Sequence, residues 1–518
     1  MKTISYNLFT ICEQIVLKIQ TKSDIIFTIK RCNMYTSTRK QLCKNEFECI
    51  AKGLSDDGGL FICDNFKDFV VKEEFKNYNY NELTYEILSF FFSNFNEEEL
   101  NKIINSAYNK NNFNEKIVNI KSINDKLSFL ELYHGPTLAF KDMALTILPY
   151  LMVESKKKLN NNKKTLILTA TSGDTGGACL SGFSKINDAS IIVLYPTEGV
   201  SKFQESQMHY YTNKNAHAIA IKGNFDDCQN LVKKIFNNLK DLNNIELSSA
   251  NSINIGRLVP QIVYYFYSYF DLVNKGNIKY GEKINFVVPT GNFGNILACY
   301  IAKEMGLFID KIVCASNENK VLTDFFNTLV YDKNRNFLQT NSPSMDILIS
   351  SNLERLLFLI TNGDYDLVNS MMNDLKQKGV FVLPEQYKSK LDCFLSYSVD
   401  RNKTVDYIND CYNEYNYLID PHTAVAYGAF DNLKDQLLNP TVVVSTASPY
   451  KFIETVNEVF NINKEGYDLV KEVSKITTVK YPDLLNDIYN NKMNKVVWTK
   501  DEMEEKLINL IGEIDESC

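Results

Sequence analysis

Short strand-like runs alternate with helical patterns along most of this chain. Several end in small or hydroxyl-bearing residues, and together they read KTLILTAT, SIIVLYP, AHAIAIKG, KINFVVPTG, KIVCASN and TVVVSTASP. Alternating strands and helices form parallel sheets, because each helix returns the chain to the edge where the next strand starts. The sequence therefore predicts an α/β fold with a doubly wound parallel sheet. Ligands bind such sheets beyond the carboxyl ends of the strands.

The chain of 518 residues is too long for one compact core, so several units are expected. Glu13 and Asp24 interrupt a transit-peptide pattern near the start, and no secretory segment is visible. The predicted units are an unstructured leader at 1–33, a mainly helical N-terminal unit at 34–112, a catalytic domain at 113–480 with an insertion at about 320–420, and a C-terminal helical tail at 481–518.

Net charge and cysteine content narrow the possible functions. A net charge of −7 gives no reason to expect nucleic acid or an anionic membrane as a partner, and no apolar run spans a bilayer. The 12 cysteines include no CxxC pair and the four histidines are scattered, so neither a metal site nor a disulfide framework is expected. Reduced thiols are typical of a cytoplasmic protein, and organelle targeting by the leader is the alternative. The expected partner is a small molecule. Monomer and homodimer are both compatible with the sequence.

Lys141 stands in an apolar setting, within the stretch HGPTLAFKDMA. A lysine ammonium is strongly hydrated and is rarely buried. In one interpretation the stem packs on the core while the head reaches water or pairs with Asp142. In the other, Lys141 is a partly desolvated amine with a lowered pKa that can condense with a carbonyl group. The stretch alone does not decide between the two.

Two glycine-containing loops follow predicted strands and open helices. In TATSGDTGG, at 169–177, Ser172, Thr175 and free helix N–H groups can form a pocket for a carboxylate or phosphate, or simply cap a tight turn. In PTGNFGN, at 289–295, successive backbone N–H groups can form an anion nest that needs no cationic side chain. The nest residues are Gly291, Asn292, Phe293, Gly294 and Asn295.

A third polar segment, SANSINIGR at 249–257, precedes an aromatic-rich helix. It carries an amide, a hydroxyl and a guanidinium, on Asn251, Ser252 and Arg257. These groups suit a second anion site, because a guanidinium can bind phosphate or carboxylate through two hydrogen bonds. The alternative is a capped helix with a surface arginine.

The fourth segment, VVVSTASPYKF at 442–452, is a predicted buried strand that ends in the hydroxyls of Ser445 and Thr446. The four segments and Lys141 together supply an amine, a phosphate nest, a second anion site and a neutral hydroxyl. This combination indicates an enzyme that uses pyridoxal 5′-phosphate, with Lys141 bound to the cofactor and the nest holding its phosphate.

The chain resembles the threonine synthase family, a fold-type-II group of pyridoxal phosphate enzymes related to the β subunit of tryptophan synthase. The resemblance covers nearly everything after the leader, in the family's order. It rests on HGPTLAFKD, LTATSGDTG, NSANSINIGR, VPTGNFGN, SPSMDILISSNLERL and DPHTAVAYGA. The N-terminal unit and the insertion are similar to the long form of fungi and enterobacteria.

The resemblance implies a role for each candidate residue. Lys141 is the implied Schiff-base lysine, Thr446 the partner of the pyridine nitrogen, and Asp174 a neighbour of the cofactor 3′-oxygen. The residues implied to hold the cofactor phosphate are Gly291, Asn292, Phe293, Gly294 and Asn295. Those implied to receive the substrate carboxylate and phosphate are Ser172, Thr175, Asn251, Ser252 and Arg257.

The sequence departs from the family pattern at three positions. Ser445 stands where glycine is usual, Ser448 where histidine is usual, and Asn295 where aspartate is common. The asparagine removes a negative charge beside the expected phosphate, so we expect it to be tolerated. The two serines flank Thr446 and bear on its geometry.

The resemblance implies conversion of O-phospho-L-homoserine and water to L-threonine and phosphate, with Lys141 as the base in each proton transfer. One alternative is a related phospho-lyase that releases 2-oxobutyrate. Another is a non-catalytic metabolite-binding protein of the same fold, which would be expected to have lost Lys141 or the phosphate nest. A dinucleotide dehydrogenase is disfavoured, because the GxGxxG pattern is missing.

Overall fold

The computed structural model describes residues 34–63, 65–113, 116–239, 242–491 and 493–517, together with two short strands at Gln14–Ile15 and Ile29–Lys30. Apart from these two strands, the predicted leader at 1–33 lies outside the described residues. Within the described part of the chain, no helix is both long and apolar enough to cross a membrane.

Most strands of the catalytic region belong to one of two parallel sheets. In chain order the strands are β1 (Gln14–Ile15), β2 (Ile29–Lys30), β3 (Thr36–Ser37), β4 (Phe61–Ile62), β5 (Asn119–Ser122), β6 (Leu127–Glu131), β7 (Lys164–Ala170), β8 (Ala189–Pro196), β9 (Ala216–Ile221), β10 (Ile245–Ser248), β11 (Ile284–Pro289), β12 (Ile309–Ser316), β13 (Val330–Asp332), β14 (Val380–Val382), β15 (Phe394–Ser398), β16 (Thr441–Ser445) and β17 (Val496–Trp498).

The first sheet has the order β10-β7-β8-β9-β17, and each adjacent pair is parallel. The second has the order β15-β12-β11-β16-β6-β5 and is parallel except at its edge, where β5 pairs antiparallel with β6. The α/β prediction is confirmed, with the strands divided between two sheets.

Helices connect the strands and build the N-terminal unit. They are α1 (Glu46–Lys52), α2 (Tyr80–Phe91), α3 (Glu97–Ala107), α4 (Asp142–Leu145), α5 (Leu148–Lys158), α6 (Asp174–Phe183), α7 (Lys202–Tyr210), α8 (Phe225–Asn238), α9 (Ile255–Leu258), α10 (Pro260–Asn274), α11 (Gly294–Glu304), α12 (Val321–Thr328), α13 (Leu353–Ile360), α14 (Tyr365–Gln377), α15 (Arg401–Tyr415), α16 (Pro421–Leu433), α17 (Ile453–Phe460), α18 (Gly466–Thr477), α19 (Leu484–Asn490) and α20 (Met503–Glu516).

The N-terminal helices begin at asparagine caps, and their apolar side chains pack in a core shared with the catalytic domain. Asn45, Asn79 and Asn96 precede α1, α2 and α3, and each forms a capping box with the glutamate three positions later. Helix α1 packs on α5 and α2 packs on α10. Their apolar side chains join the buried cluster that also contains residues of both parallel sheets. The N-terminal unit is therefore packed on the catalytic domain.

The four segments predicted to bind ligands follow the carboxyl ends of neighbouring strands. The 169–177 loop leaves β7 and the 249–257 loop leaves β10, and these strands pair in the first sheet. The 289–295 loop leaves β11, and Thr446 follows β16, which pairs with β11 in the second sheet. Because parallel strands end at the same edge of a sheet, each sheet brings two of the segments together.

Two strands at the edges of the parallel sheets differ from the predicted units. Strand β15 falls within the predicted insertion at 320–420, yet it pairs with β12 at the edge of the second sheet. Strand β17 falls within the predicted helical tail at 481–518, yet it pairs with β9 in the first sheet. Each contributes only a few residues to the edge of a sheet, which gives too short a pattern to recognise in the sequence.

Candidate active site

Lys141 comes from a tight turn that the next residue closes. Asp142 accepts two hydrogen bonds from Thr137, one from its backbone N–H (2.7 Å) and one from its hydroxyl (2.6 Å). Glycine is needed at Gly135, because a β-carbon there would lie 2.6 Å from Cβ of Asp142. Leu138 takes a left-handed conformation with φ of 59°, which is uncommon for a residue other than glycine. The turn delivers Lys141 to the start of α4.

Residues that follow β16 hold this turn from the other side. The N–H of Phe140 donates to the carbonyl of Thr446 (2.8 Å), and the N–H of Ser448 donates to the carbonyl of Leu138 (3.0 Å). The backbone thus fixes Thr446 beside the turn that carries Lys141. Among the described residues, the Thr446 hydroxyl has no hydrogen-bond partner, so it is free to bind a ligand.

The Lys141 amine lies in a partly buried polar cluster. Its Nζ is 3.2 Å from Oδ2 of Asp174 and 3.2 Å from Oγ of Ser344, whose hydroxyl donates to the same carboxylate oxygen at 2.6 Å. Burial lowers the pKa of the Lys141 amine; Asp174 opposes this, while the charges of Lys451 and Arg257 lower it further. The desolvated-amine interpretation is therefore favoured over a surface lysine.

A second buried lysine reaches the same carboxylate. Nζ of Lys451 is 3.3 Å from Oδ1 of Asp174, and it donates to the carbonyl of Thr137 (2.7 Å) and to Oε1 of Gln207 (2.6 Å). Burial alone would raise the pKa of Asp174, but Lys451, Lys141 and the Ser344 hydroxyl hold it well below its usual value. Asp174 is consequently a carboxylate shared by two lysine side chains.

Ser344 is positioned by a buried histidine. The backbone N–H of Ser344 donates to Nε2 of His422 (3.1 Å), and Nδ1 of His422 lies 2.7 Å from Oδ2 of Asp420. A backbone N–H can only donate, so Nε2 is the acceptor and the ring proton lies on Nδ1, facing Asp420. This chain of contacts extends from Asp420 to the Lys141 amine.

The 289–295 loop turns its carbonyl groups towards residues 350–352. Ser350 Oγ donates to the Gly291 carbonyl (2.7 Å), and both the N–H (3.1 Å) and Nδ2 (3.0 Å) of Asn352 donate to the Asn292 carbonyl. Phe293 takes a left-handed conformation with φ of 65° just before α11. Among the described residues, the backbone N–H groups of 291–296 have no acceptor. These unpaired hydrogen-bond donors lie at a helix N-terminus, where they can bind an anion.

The side chain of Asn295 leaves one donor unused beside this loop. Its Oδ1 accepts hydrogen bonds from the hydroxyls of Tyr264 and Tyr265, both at 2.6 Å. Its Nδ2 is buried and has no hydrogen-bond partner among the described residues. An unsatisfied buried donor is costly, so a bound acceptor would stabilise this position.

Arg257 lies in α9, at the end of the 249–257 loop, with a buried side chain. Nη1 donates to the carbonyl of Ala250 (2.8 Å), and no carboxylate pairs with the guanidinium within the described ranges. Burial lowers the pKa of Arg257, and its charge in turn lowers the pKa of Lys141. Arg257 is thus a buried cation without an anionic partner among the described residues.

The four other residues predicted to bind the substrate follow the carboxyl ends of strands in the first sheet, but they lie outside the Lys141 cluster. Ser172 and Asn251 are exposed, whereas Thr175 and Ser252 are half-buried. None of the four is hydrogen-bonded to Lys141 or Asp174 in the part of the chain that the structure describes. Asn251 Oδ1 accepts a long hydrogen bond from the Thr169 hydroxyl (3.4 Å), and Ser252 Oγ lies 3.5 Å from the Ser351 hydroxyl.

The two serine departures around Thr446 are accommodated by hydrogen bonds. Ser445 Oγ lies 3.1 Å from the hydroxyl of Thr423, and Ser448 Oγ accepts from the N–H of Tyr450 (3.3 Å) as a helix cap. Both serines are buried. Neither disturbs the backbone contact that places Thr446 beside the Lys141 turn.

Four polar residues of the site were not identified from the sequence. They are Gln204, whose Nε2 donates to Asp174 (2.8 Å), together with Ser344, His422 and Lys451. Lys451 lies between Tyr450 and Phe452, so the apolar-neighbour argument used for Lys141 would also have found it. Ser344 lies in an irregular segment with no comparable signal.

Comparison with known families first defines the class. Residues 118–448 match the family described as pyridoxal-phosphate dependent enzyme, and residues 34–108 match the threonine synthase N terminus. The chain is thus a pyridoxal-phosphate-dependent enzyme of fold type II.

Individual relatives define the family more closely. Threonine synthase of Schizosaccharomyces pombe is 37% identical over 500 residues, covering 89% of this chain and 96% of that protein. A threonine synthase structure from Brucella melitensis with bound pyridoxal phosphate superposes with a TM-score of 0.83 and 32% identity, covering 92% of this chain and 98% of that one. The chain belongs to the threonine synthase family.

A second group of relatives is longer. Threonine synthase-like 1 of Macaca fascicularis is 38% identical over 441 residues, which cover 80% of this chain but 58% of that protein. The chain therefore matches only part of those longer proteins.

The residues of the site fit pyridoxal 5′-phosphate, the cofactor of this family. The desolvated Lys141 amine suits its carbonyl carbon, and the free N–H groups of 291–296 suit its phosphate. The orphaned Nδ2 of Asn295 adds a donor beside that loop.

Proposed function

We propose that this chain is a threonine synthase, which converts O-phospho-L-homoserine and water to L-threonine and phosphate. Its family membership supports this activity, because a relative at 37% identity over most of both chains bears that name. The substrate carries a carboxylate and a phosphate, so the site must receive two anionic groups besides the cofactor phosphate.

The observation that carries the proposal is the excess of buried positive charge. Lys451 and Arg257 are buried at the site, the Lys141 side chain is 10% exposed, and Asp174 is the carboxylate that pairs with the two lysines. Burying unpaired charge is costly, so such an arrangement indicates that an anionic ligand completes it. The unpaired guanidinium of Arg257 is the group we assign to the substrate phosphate.

We assign the cofactor to the residues that fit it. Bound pyridoxal phosphate supplies an electrophilic carbon for amines and a ring that stabilises negative charge on substrate carbons. Lys141 would bind the carbonyl carbon of the cofactor covalently, and the 289–295 loop would bind its phosphate. Thr446 offers a neutral hydroxyl to the pyridine nitrogen, and Asp174 is the carboxylate nearest the lysine.

Lys141 is the group we assign to proton transfer. Desolvation lowers the pKa of its amine, which favours the neutral form that accepts a proton from a substrate carbon. Ser344 and Asp174 contact Nζ and fix its orientation. Lys451 helps to hold the pKa of Asp174 well below its usual value.

Ser172, Thr175, Asn251 and Ser252 are the polar groups we assign to the carboxylate and phosphate of the substrate. Ser172 lies on the loop after β7 and Thr175 in the first turn of α6, while Asn251 and Ser252 lie on the loop after β10. All residues assigned to the site belong to one chain, so either a monomer or a homodimer satisfies the proposal.

A second candidate activity is release of 2-oxobutyrate from the same substrate. It is supported by the longer relatives named threonine synthase-like 1, which match at 38% identity. Both activities break the bond between the γ-carbon and the phosphate oxygen, but only the synthase retains the amino group. A non-catalytic binding protein is disfavoured, because Lys141 and the anion-binding loop are both present.

The test is to incubate the purified protein with pyridoxal phosphate and O-phospho-L-homoserine and to quantify threonine, 2-oxobutyrate and phosphate. We expect threonine and phosphate in equal amounts. 2-Oxobutyrate as the main product would establish the second activity, and the absence of both products would overturn the enzymatic assignment. Lys141→Ala is the control for contaminating activity.

We also propose a cytoplasmic, reducing environment. The described residues include several buried free thiols, among them Cys179, Cys299 and Cys314. Free thiols persist where disulfides are kept reduced. Localisation of a fluorescent fusion of the full chain tests this assignment.

A further inference from the structure

Asn352 connects the 289–295 loop to the 249–257 loop. Its Nδ2 donates to the carbonyl of Asn292 (3.0 Å) and to the carbonyl of Ser252 (3.2 Å), and its backbone N–H also donates to Asn292. The side chain is fully buried. One amide group therefore holds the backbones of both loops.

Arg355 fixes the orientation of this amide. Nη1 of Arg355 donates to Oδ1 of Asn352, and Nη2 donates to the carbonyl of Ile253 at 2.6 Å. Because a guanidinium can only donate, Oδ1 must face Arg355 and Nδ2 must face the two loop carbonyls. Arg355 also donates through Nε and Nη2 to the carbonyl of Phe61, at 3.0 and 2.8 Å. The N-terminal unit thereby supports the same junction.

We propose that Asn352, oriented by Arg355, is a positioning residue that couples the two anion sites, so that a ligand on one loop strengthens binding at the other. This inference rests on the proposed function, since it takes the 289–295 loop as the cofactor site and the 249–257 loop as the substrate site. Asn352 itself contacts backbone carbonyls and has no role in proton transfer.

The physical basis is the cost of ordering a loop. A ligand that orders one loop fixes the carbonyl held by Asn352, and the rigid amide then restricts the other loop. The second ligand consequently binds a loop that is already partly ordered, so less entropy is lost on its binding. Coupling of this kind is reciprocal, and its usual size is about 5- to 150-fold in affinity.

Asn352→Asp is the most direct variant. The carboxylate is nearly isosteric and keeps its contact with Arg355, but it replaces two N–H donors with an oxygen that faces two carbonyl oxygens. Asn352→Ser removes the same donors without adding charge, and it replaces Asn352→Asp in the test if the aspartate variant does not fold. Asn369→Asp is the matched control, because Nδ2 of Asn369 donates to the Arg39 carbonyl (2.6 Å) away from both loops.

The probe is 5-phosphonopentanoate, which keeps the carboxylate and phosphonate of the substrate at the same chain length but lacks the amine. It cannot condense with the cofactor, so any coupling passes through the protein. Its Kd is measured by calorimetry for the full chain with and without pyridoxal phosphate. We expect the probe to bind at least about fivefold more tightly with cofactor in the wild type and in Asn369→Asp. The ratio should fall to near one in Asn352→Asp or Asn352→Ser.

A ratio near one in the wild type, or an unchanged ratio in the Asn352 variants, would overturn the coupling. If threonine is still formed in that case, the proposed function stands and only the role of Asn352 is lost. If the probe does not bind the holoenzyme at all, the coupling falls together with the substrate assignment of the 249–257 loop.

Discussion

The ammonium group of Lys451 lies 3.3 Å from Oδ1 of Asp174, on the opposite carboxylate oxygen from Lys141. Lys451 is completely buried, so its charge is weakly screened by solvent. It acts on Lys141 in two ways, by direct repulsion and by sharing the carboxylate that would otherwise raise the pKa of Lys141.

We predict that Lys451→Met raises the pKa of the Lys141 amine, because both of these effects are lost. Attack on the cofactor needs a neutral amine, so the pH midpoint for cofactor association with the apoprotein should move up by about one pH unit. Stopped-flow absorbance across pH measures it. Lys156→Met is the control, since Lys156 is a buried lysine that pairs with Glu246 away from the site. An unchanged midpoint would show that Lys451 does not tune Lys141.

Lys141→Ala should abolish threonine formation and remove the visible absorbance of the bound cofactor. Borohydride reduction followed by peptide mapping identifies the attached lysine in the wild type, and we expect Lys141. Lys451 is the rival to check, because it is the other amine beside Asp174. Cofactor recovered on Lys451, in either protein, would reassign the covalent position.

Gly294→Val should weaken cofactor binding without unfolding the protein. A β-carbon at Gly294 would have only ordinary contacts, 3.6 Å from Nδ2 of Asn352 and 3.7 Å from Nε2 of Gln261. The valine side chain would instead crowd the cofactor phosphate at this loop. Crowding of a packed site costs about 1–3 kcal/mol, which raises Kd for pyridoxal phosphate roughly 5- to 150-fold. Gly512→Val is the control, because no described atom outside its own helix lies within 4 Å of a β-carbon there. Equal cofactor affinity in both variants would exclude the 289–295 loop as the phosphate site.

Arg257→Ala should lower kcat/KM for O-phospho-L-homoserine while leaving the cofactor spectrum intact. Truncating one member of a desolvated charge pair costs about 2–5 kcal/mol, or roughly 30- to 4,000-fold in kcat/KM. Arg257→Lys should recover only part of the loss, because an ammonium cannot donate two parallel hydrogen bonds. Arg335→Ala, at a partly exposed pair with Asp324, is the control. Near-normal efficiency of Arg257→Ala would remove the substrate role of this residue.

Local patterns in the sequence predicted the strands, the loops at their carboxyl ends and the unusual setting of Lys141. They predicted these features because strand alternation and apolar neighbours are visible within a short window. They did not reveal Ser344 or Asn352, which reach the site from an irregular segment far along the chain. Their roles depend on which backbone groups the fold leaves nearby, and no local pattern records that.

Lys451 is a different case, since its apolar neighbours Tyr450 and Phe452 were visible in the sequence. What the sequence could not give was its distance from Asp174, which depends on how the two sheets meet. The edge strand β17 was missed because three residues are too few to define a period.

The most direct test of the proposed reaction follows oxygen from water. In water enriched in oxygen-18, breaking the bond between the γ-carbon and the ester oxygen releases phosphate with all its original oxygens, and water then adds at the β-carbon. Mass spectrometry of both products should find the label in the threonine hydroxyl and none in phosphate. Label in phosphate, with homoserine as the other product, would mean that the phosphorus–oxygen bond breaks and would contradict the proposed activity.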